Sequence, residues 1–586
     1  MTLNRDRRKA AEALGIERLT REQRTAIAAV ERGEDVVVVL PTGAGKSAIY
    51  QVAGALRDGP TIVVSPLIAL QEDQLARLTE AEDTLGEAAA LHSLLSEGRQ
   101  REVLERFAAG EVRYLFLAPE QLRSPEVVDA LGEAKPGLLA VDESHCIVSW
   151  GNDFRPAFLA IGLARPALGD PPVVALTASA APAVRAEIAE RLGMDDPTTV
   201  VAGVERPNIH LTIDNAADRQ AAVARLEAAV AELEGSGLVY VAKRADADRL
   251  AATLGTEGRP GLAYHSGLTR RERTAVHERF LDPAPSVVVA TVAFGLGIDK
   301  PDVRWVVHAD APESIDAWYQ ELGRAGRDGE PSAAVLFRAM GEAPARAYYG
   351  GARGVSRSTC LKMLAALRGS DPPPGPAMAD LDEVDPDTDV PVDAADAVTP
   401  PPHPEGTWDV AELAAIAGVG KGQAWQAVVE LVAVGAATAT ADGRVTAVAP
   451  GPAIEDVARE VGERTERRRA QQRSQGAMMR TVLDGEGCLW RAVAGYLGEP
   501  LDGLCGHCDR CDRGVSEAWA PSGDPGDAAD DALAPGASFT HTEFGRGTVV
   551  DRTEDVVTVA FDEAGTKQLS VELLTDPDAG LVEQAD

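Results

Sequence analysis

The chain of 586 residues is poor in cysteine and in aromatic residues, and it has no long apolar run. Six cysteines are too few for a disulfide scaffold, and because four of them fall within residues 488–511 they predict a metal site in a reducing compartment. No apolar stretch approaches the roughly 20 residues that cross a bilayer, and the N-terminal residues do not form an apolar signal segment. We therefore expect a cytoplasmic protein that makes no membrane contact.

Aromatic residues make up only 4% of the chain against 45% for all hydrophobic residues, so alanine, valine and leucine must supply most of the core. The formal net charge of −35 argues against a nucleic-acid partner, because phosphate contacts need lysine and arginine. Much of the acidic excess, however, lies in segments with the composition of linkers. The net charge therefore excludes no function. The chain is long enough for about four domains of roughly 150 residues each.

Short apolar strands alternate with helical stretches over the first 345 residues. The first series of strands is predicted at Val36–Leu40, Thr61–Val64, Tyr114–Leu117, Leu138–Val141 and Val173–Leu176. The second series is predicted at Gly237–Val241, Gly261–Tyr264, Val287–Ala290, Trp305–His308 and Ala333–Phe337. Strands that alternate with helices form parallel sheets. The predicted fold class is α/β, with two parallel-sheet domains at residues 1–203 and 204–345 and a crevice between them.

Smaller units are predicted after residue 345. Residues 346–404 combine a helical stretch with an acidic, proline-rich segment that we interpret as a disordered linker, with a long surface loop as the alternative. Residues 405–450 predict a winged helix, from helices at 410–417 and 423–434 and a hairpin that turns at Asp442-Gly443. A charged helix and the cysteine cluster occupy residues 451–513, a second linker 514–536, and a small all-β barrel 537–575.

The loop from Pro41 to Ser47 follows the first strand and leads into a helix. Backbone N–H groups of a glycine-rich turn at a helix N-terminus bind phosphate. In such a loop Lys46 contacts the β and γ phosphates, and Ser47 coordinates Mg2+. Leu40 stands where the general pattern has glycine. The predicted nucleotide-binding residues are Thr42, Gly43, Ala44, Gly45, Lys46 and Ser47.

Asp142 and Glu143 stand together at the end of the predicted strand Leu138–Val141. In this position Asp142 can hold the metal ion, and Glu143 can orient or deprotonate the attacking water. Two adjacent carboxylates could instead cap a helix. The following run, which begins around His145, favours the catalytic interpretation because it fits a wider pattern.

These motifs and their neighbours resemble the RecQ family of DNA helicases, within the superfamily 2 DExH helicases. The resemblance extends from about Leu14 to Phe337, and further motifs that carry it are Ser65–Gln74, Ala118–Leu122, Leu176–Ala180, Glu205–Ile209, Tyr264–Leu268, Ala290–Pro301 and Gln320–Gly329. It implies two RecA-like domains that use ATP and Mg2+ to unwind DNA in the 3′–5′ direction, in DNA repair or recombination. The resemblance further implies that Gln23 recognises adenine.

The same resemblance extends the catalytic set. It includes His145 among the catalytic residues, and it implies that Arg324 and Arg327 enter the site from the second domain as arginine fingers. A guanidinium supplied across a cleft makes hydrolysis depend on closure of that cleft. Surface ion pairs are the alternative for both arginines.

The resemblance also implies which residues face DNA. Trp150–Pro156 is similar to the RecQ aromatic-rich loop, in which Trp150 and Phe154 would stack on bases and Arg155 would stack or bind phosphate. Burial of both aromatic side chains under the sheet is the alternative. Asn152 stands where the family usually has histidine, so a ring contact is lost there.

Two further residues are expected to follow the DNA backbone. Ser65 and Thr291 lie at the ends of predicted strands, where the family contacts single-stranded DNA. Movement along a strand without sequence preference needs only phosphate contacts and stacking. The expected partner is therefore single-stranded or tailed duplex DNA.

Cys488, Cys505, Cys508 and Cys511 have the spacing of a closed tetrahedral site with four thiolate ligands. We predict structural Zn2+, with an iron–sulfur cluster as the main alternative, and the surrounding residues resemble the RecQ zinc module. The preceding helix carries arginines that either contact DNA or pair with nearby glutamates. These arginines are Arg464, Arg467, Arg468, Arg469 and Arg473.

Two features depart from the RecQ pattern. The winged helix precedes the zinc module and follows a flexible linker, which leaves open whether its hairpin separates strands. Residues 537–575 resemble the Tudor/SH3-like module at the end of PcrA/UvrD-type helicases, which implies RNA polymerase or another protein as a partner. A DNA-stimulated translocase that does not unwind, a polymerase-tethered interaction factor and an RNA substrate remain as alternatives.

Overall fold

The structure is a computed structural model of the chain. It describes residues 2–66, 68–148, 156–294, 300–341, 355–369 and 407–516, and near the C-terminus residues 538–541, 545–552, 556–561, 565–570, 574 and 582–583. Most of the two predicted linkers, at 346–404 and 514–536, lies outside the described residues. No helix in the described part of the chain combines the length and the apolar character needed to cross a membrane.

The first domain is built on a seven-stranded parallel sheet with the strand order β3-β4-β2-β5-β6-β1-β7. Its strands are β1 Val36–Val39, β2 Thr61–Val64, β3 Ala88–Leu91, β4 Tyr114–Leu117, β5 Leu138–Val141, β6 Val173–Thr177 and β7 Thr198–Val201. Its helices are α1 Thr2–Ala13, α2 Arg21–Glu31, α3 Ser47–Leu56, α4 Ile68–Glu80, α5 Glu82–Leu85, α6 Glu97–Ala108, α7 Pro125–Glu133, α8 Leu159–Ala164 and α9 Pro182–Arg191. The central strands are runs of apolar residues buried on both faces, as a sheet covered by helices on both sides requires.

The second domain has a six-stranded parallel sheet with the order β10-β11-β9-β12-β13-β8. Its strands are β8 Ile209–Ala216, β9 Ser236–Tyr240, β10 Gly261–Tyr264, β11 Val287–Ala290, β12 Val303–His308 and β13 Ser332–Ala339. Its helices are α10 Arg219–Glu232, α11 Arg244–Leu254, α12 Arg270–Leu281 and α13 Ile315–Leu322. The predicted α/β class with two parallel-sheet domains is confirmed. In both sheets the carboxyl ends of the strands meet at one edge, where ligands bind in such folds.

A winged unit follows the second domain. Its elements are α14 Arg357–Arg368, β14 Thr407–Asp409, α15 Val410–Ala417, α16 Lys421–Ala433, β15 Ala437–Ala439 and β16 Arg444–Ala447. The three strands form an antiparallel sheet in the order β14-β16-β15, and the predicted hairpin turns at Asp442-Gly443. Helix α14, which the sequence groups with the acidic segment, packs with α15 and α16 in one core through Cys360, Met363 and Leu364. The winged unit is therefore assembled from both sides of that segment.

The four-cysteine module extends the second domain. It consists of α17 Ile454–Asp484, α18 Leu489–Tyr496 and α19 Asp509–Asp512 with the loops between them. Trp490 is fully buried and donates its indole N–H to the carbonyl of Ile209, at 3.1 Å. The backbone N–H of Leu211 donates to the carbonyl of His507 at 3.4 Å. Strand β8, at the edge of the second sheet, is thus covered by the module.

The C-terminal unit is a five-stranded antiparallel sheet in the order β20-β19-β18-β17-β21. Its strands are β17 Ser538–His541, β18 Gly545–Arg552, β19 Val556–Phe561, β20 Gly565–Ser570 and β21 Val582–Glu583. The sheet contains the predicted all-β segment at 537–575 and continues beyond it to Glu583. Val549, Val557 and Val559 are buried, and β20 packs against α17.

Candidate nucleotide site and four-cysteine centre

The loop from Pro41 to Lys46 connects β1 to α3 at the carboxyl edge of the first sheet. Gly43 and Gly45 have φ angles of +85° and +73°, in the left-handed region that glycine adopts without strain. A turn of this kind before a helix presents backbone N–H groups to an anion. Thr42 and Ala44 lie in the same turn and Ser47 begins α3, so the predicted phosphate-binding residues form one continuous surface.

The side chain of Lys46 folds over this loop. Its Nζ donates to the carbonyl of Leu40 at 2.9 Å and to that of Pro41 at 3.3 Å. Burial lowers the pKa of Lys46, while the nearby Glu143 and Asp142 oppose that shift. The ammonium group is thus held inside the cleft between the phosphate loop and the two carboxyl groups, where it is available to a phosphate.

Gln23 also contacts the phosphate loop. Its side-chain amide donates to the carbonyls of Ala44 and Gly45, at 3.2 and 3.1 Å, and its oxygen accepts the backbone N–H of Thr20 at 2.9 Å. Gln23 therefore joins the start of α2 to the turn that would hold the phosphates. Its expected role in recognising adenine stays a prediction.

Asp142 and Glu143 lie directly after β5, close to Lys46. Burial, and next the charge of Glu143, raise the pKa of Asp142 to about 7, while Lys46 opposes the shift. Glu143 has φ +50° and ψ 45°, a left-handed conformation that costs a residue other than glycine of order 1–3 kcal/mol. Its backbone N–H donates to Asp142 Oδ1 at 3.0 Å. Two carboxyl groups held together in this way favour a divalent cation, which would stabilise both in the ionised form.

A line of polar contacts leads from Glu143 across the cleft to the second domain. His145 Nδ1 lies 3.4 Å from Glu143 Oε2 and 3.1 Å from Thr177 Oγ1. The Thr177 hydroxyl donates to the carbonyl of Ser179 at 3.0 Å. From helix α13 of the second domain, Gln320 Nε2 donates to Ser179 Oγ at 3.0 Å. Glu143, the candidate catalytic carboxylate, is therefore connected to the opposite domain through four residues, with the backbone of Ser179 as one link.

The two predicted arginine fingers occupy different positions. A β-carbon placed on Gly43 would lie 4.0 Å from the β-carbon of Arg327 and 3.8 Å from its carbonyl oxygen, so Arg327 lies against the phosphate loop. Its charge also acts to lower the pKa of Lys46. Arg324 is buried in the second domain beside Tyr240; burial raises the pKa of Tyr240 to about 12, and Arg324 opposes that shift. Arg327 therefore lies at the phosphate loop, whereas Arg324 is buried within the second domain.

Two residues in the connection between the domains hold the arginine loop, Gly323–Arg327. Arg206 donates to the carbonyls of Ala325 and Gly326 at 3.3 and 2.9 Å. Asn208 Nδ2 donates to the carbonyl of Gly326 at 2.8 Å. Both residues lie in the motif Glu205–Ile209, which predicts no role for either of them. The sequence did contain a signal for such a role. Arg206 and Asn208 are polar, flank a proline and lie at a domain boundary, where they are not needed to fill a hydrophobic core.

The DNA-facing candidates are only partly described. Ser65 is buried after β2, and its hydroxyl has no hydrogen-bond partner among the described residues. Thr291 follows β11 and is half-buried. Both residues lie at the carboxyl edges of their sheets, as predicted. The aromatic-loop candidates Trp150, Asn152, Phe154 and Arg155 lie outside the described residues.

The four cysteines converge on one point. The sulfur atoms of Cys488, Cys505, Cys508 and Cys511 all lie within 4.8 Å of one another. Backbone N–H groups of Cys505 and His507 donate to the sulfurs of Cys488 and Cys505, both at 3.4 Å. Hydrogen bonds with Cys505 and Cys508 lower the pKa of Cys488 to about 4, and hydrogen bonds with Cys488 and Cys508 raise the pKa of Cys505. Four sulfurs with backbone donors suit a tetrahedral thiolate site, and the residues fit Zn2+.

The neighbouring His507 is not part of the sulfur cluster. Its Nδ1 lies 2.7 Å from the carbonyl of Cys505, and its Nε2 lies 3.7 Å from Glu205. The group of potential ligands found in the described part of the chain contains the four cysteines and no histidine. In this arrangement His507 is therefore not a ligand of the candidate metal site.

The winged unit is docked on the first domain through a buried ion cluster. Glu430 of α16 accepts from Arg191 of α9 at 2.6 Å and from Arg464 of α17 at 3.0 Å, and 2% of its side chain is exposed. Arg464 also pairs with Glu190 at 2.5 Å. From the sequence, Arg464 was expected to contact DNA or to pair with glutamates of its own helix; the ion pairs described here join it to Glu190 and Glu430, on two other helices. The side chains of Arg467, Arg468, Arg469 and Arg473 lie outside the described residues.

Further contacts complete this docking. The guanidinium of Arg123 lies 4.6 Å from the ring centre of Trp425, a cation–π contact between the first domain and α16. Ala441, in the hairpin, is buried in the core of the first domain. Helix α16 also packs against the turn Pro156–Phe158, which begins at the last residue of the predicted aromatic loop. The winged unit is therefore docked on the first domain, in contact with the turn Pro156–Phe158.

Comparison with known proteins agrees with this geometry. Residues 20–187 match the DEAD/DEAH box helicase family, and residues 221–329 match the helicase conserved C-terminal domain. The probable ATP-dependent DNA helicase RecS of Bacillus subtilis is 39% identical over 322 residues, which are 55% of this chain and 64% of the relative. The ATP-dependent DNA helicase RecQ of Haemophilus influenzae is 36% identical over 323 residues, 55% of this chain and 51% of the relative. The RecQ-like DNA helicase BLM of Xenopus laevis is 36% identical over 341 residues, 55% of this chain and 24% of the relative.

Two parallel-sheet domains that close on a phosphate loop and an adjacent pair of carboxyl groups define a two-domain helicase core. The two family matches fall on these two domains. In sequence, this core is similar to ATP-dependent DNA helicases of the RecQ and RecS type. The chain spans between half and two thirds of the length of the first relatives that it matches. The similarity to helicases therefore concerns the two-domain core, and neither family match extends into the winged, cysteine or C-terminal units.

Proposed function

We propose that the protein is an ATP-dependent 3′–5′ DNA helicase of RecQ type that acts in DNA repair or recombination. The observation that supports this most strongly is the position of Arg327, which reaches from the second domain to the phosphate loop at Gly43. A nucleotide site completed by the opposite domain makes hydrolysis depend on domain closure. The substrate would be single-stranded or tailed duplex DNA, as the names of the relatives suggest.

In this proposal each cleft residue has a defined role. Lys46 and the backbone of the phosphate loop bind the β and γ phosphates, and Arg327 stabilises the charge that develops on the transferred group. Glu143 orients the attacking water and accepts its proton. Ser47 and Asp142 would hold Mg2+, which neutralises phosphate charge when bound. The same roles are supported by the compact arrangement of Lys46, Asp142 and Glu143 described above.

Coupling to DNA would pass through the contacts that begin at His145. His145 and Thr177 link Glu143 to Ser179, and Gln320 links Ser179 to the second domain. A DNA strand bound along the carboxyl edges of the two sheets, at Ser65 and Thr291, would favour closure of the domains. Domain closure would in turn move the residues that link Glu143 to the second domain. If ATP binding and DNA binding favour the same closed state, each would strengthen the other.

The test is ATP hydrolysis with and without DNA. Wild-type protein should hydrolyse ATP faster with single-stranded DNA, and Lys46→Ala should lower hydrolysis by at least about a hundredfold while leaving DNA affinity nearly unchanged. Lys362→Ala, which changes a lysine outside the cleft, is the matched control. Normal hydrolysis by Lys46→Ala, or no DNA stimulation of the wild type, would refute the proposal.

A second candidate is a DNA-stimulated translocase that does not separate strands. The docking of the winged unit on the first domain, through Glu430 and Arg191, favours it because a fixed hairpin is not placed at a fork by any described contact. Unwinding of a 3′-tailed duplex by the purified wild type rejects this candidate. Displacement of streptavidin from a biotinylated single strand, without unwinding of the duplex, supports it.

The cysteine module would hold structural Zn2+. Its four sulfurs and backbone donors match that ion, and an iron–sulfur cluster is the alternative. Elemental analysis of the purified protein separates the two, and an iron–sulfur cluster would also absorb visible light.

The C-terminal sheet would bind a protein partner, with RNA polymerase as the candidate. Loss of binding to purified RNA polymerase on deletion of residues 537–586 would support that partner.

A further inference from the structure

We propose that Glu499 of the four-cysteine module is a positioning residue, which holds the connection between the two domains and through it the arginine loop of the nucleotide cleft. The connection, residues 203–208, is here named the hinge. The inference rests on the proposed function, because ATP hydrolysis is the reaction that the arginine loop would serve. It gives the module a task in hydrolysis in addition to holding a metal.

Both carboxylate oxygens of Glu499 are used on the hinge. Oε1 accepts the backbone N–H of Gly203 at 3.1 Å, and Oε2 accepts the backbone N–H of Val204 at 2.7 Å. Hydrogen bonds to a charged acceptor are roughly twice as strong as those between neutral groups. Two consecutive N–H groups bound by one carboxylate fix the direction as well as the position of the chain at this point.

The position of Glu499 is set by the end of helix α18. Its backbone N–H donates to the carbonyl of Ala494 at 2.9 Å, and Gly498 has φ +81°. This is a helix-terminating turn that needs a left-handed residue. A β-carbon at Gly498 would lie 2.5 Å from Arg185 Nη2 of the first domain, so the turn lies close against α9. Glu499 is therefore presented to the hinge by a rigid element in contact with the first domain.

The hinge transmits this position to the arginine loop. Val204 is fully buried in the core shared by the second domain and the module. Two residues further on, Arg206 donates to the carbonyls of Ala325 and Gly326. Asn208 donates to the carbonyl of Gly326 as well. A shift of the hinge would therefore move the loop that carries Arg327.

The other side of the cleft also touches the hinge. A β-carbon on Gly203, which has φ +72°, would lie 3.4 Å from Cδ of Pro41, the first residue of the phosphate loop. In addition, the hydroxyl of Tyr496, in the last turn of α18, donates to Asp316 of α13. The module thus contacts the helix before the arginine loop and the hinge that holds this loop. These contacts distinguish Glu499 from a residue that only closes a helix.

The first test uses Glu499→Gln in the full chain. Glutamine has the same shape but accepts only one of the two N–H groups and turns its own NH2 group toward the other. We expect kcat for DNA-stimulated ATP hydrolysis to fall about tenfold with KM for ATP within about twofold, because the arginine loop contributes in the transition state. Asp502→Asn, an exposed acid in the same module, is the matched control and should behave as wild type. An unchanged kcat in Glu499→Gln would overturn the inference.

The second test separates this role from general stability. In an Arg327→Ala background, Glu499→Gln should reduce kcat by less than about twofold, because the residue through which it acts is already absent. A further tenfold loss would show that the two residues act independently and would overturn the inference. The thermal unfolding midpoint and bound metal should match those of wild type in each Glu499→Gln protein.

A third test does not depend on hydrolysis. In Glu499→Gln, hydrogen–deuterium exchange should become faster both in residues 203–208 and in residues 323–329. Faster exchange in the first segment alone would mean that Glu499 only fixes the hinge locally, which would overturn the inference. If the wild type lacks DNA-stimulated hydrolysis the proposed function fails, and the exchange measurement still decides the role of Glu499.

Discussion

The ion cluster that docks the winged unit gives the sharpest prediction. Glu430→Gln keeps the shape of the side chain but removes the charge that faces Arg191 and Arg464. Removal of one partner from a buried ion pair costs about 3–5 kcal/mol, because the remaining charge stays in the interior. Arg191 keeps Glu187 at 3.5 Å and Arg464 keeps Glu190 at 2.5 Å, so we expect the lower end of that range.

A cost of about 3 kcal/mol corresponds to a change of roughly a hundredfold in the docking equilibrium. Hydrogen–deuterium exchange should detect it as faster exchange in α9 and α16, with no change in the strands of either parallel sheet. Glu412→Gln, which removes an exposed charge from α15 of the same unit, is the control. The undocked protein should also need more DNA for half-maximal ATP hydrolysis, since the turn Pro156–Phe158 loses a neighbour.

A double-mutant cycle can refute this reasoning. If Glu430 and Arg191 act as a pair, Glu430→Gln and Arg191→Met together should cost clearly less than the sum of the two single changes. Additive effects would mean that the ion cluster does not hold the unit in place. Unchanged exchange in α9 and α16, in a Glu430→Gln protein that is otherwise folded, would also be incompatible with the docking described above.

Three other predictions concern the remaining units. Thr177→Val removes the hydroxyl between His145 and Ser179, so DNA-stimulated kcat should fall about tenfold while basal hydrolysis changes little, as steady-state assays with and without DNA can show. Cys508→Ser should lower the unfolding midpoint by about 10 °C and remove bound metal, because Cys508 lies in the core of the second domain; calorimetry and elemental analysis measure both. A protease site inserted between residues 380 and 395 should allow complete cleavage without separation of the fragments on size exclusion, because α14 packs with α15 and α16.

The sequence predicts the central strands and the edge strand β10 well, but it misses the other edge strands, β3, β7 and β8. Runs such as Val36–Val39 and Leu138–Val141 are buried on both faces, and this uniform apolar character is visible without a structure. Strand β3 begins with three alanines, which do not favour a strand over a helix, and β8 alternates buried and half-buried residues over Ile209–Ala216. Both are edge strands, where side-chain burial gives a weaker pattern.

The candidate site also has a part that the sequence predicts and a part that it does not. The phosphate loop and the pair Asp142-Glu143 are contiguous motifs, so their positions follow from the strands that precede them. The contact of Glu430 with Arg191 joins residues 239 apart, and that of Glu499 with Gly203 joins residues 296 apart. No periodicity or local propensity encodes such a pairing. A single acid in the apolar helix α16 was the available signal that Glu430 needs a buried partner.

Because Arg368 and Thr407 belong to one compact unit, the stretch between them is a closed loop whose ends are already fixed. The entropy of closing a flexible loop grows only with the logarithm of its length, by about 0.6 kcal/mol for each doubling. A change in the length of residues 370–406 should therefore cost little in folding free energy. We expect insertion of a reporter or an affinity module at that position to leave the core of the winged unit intact.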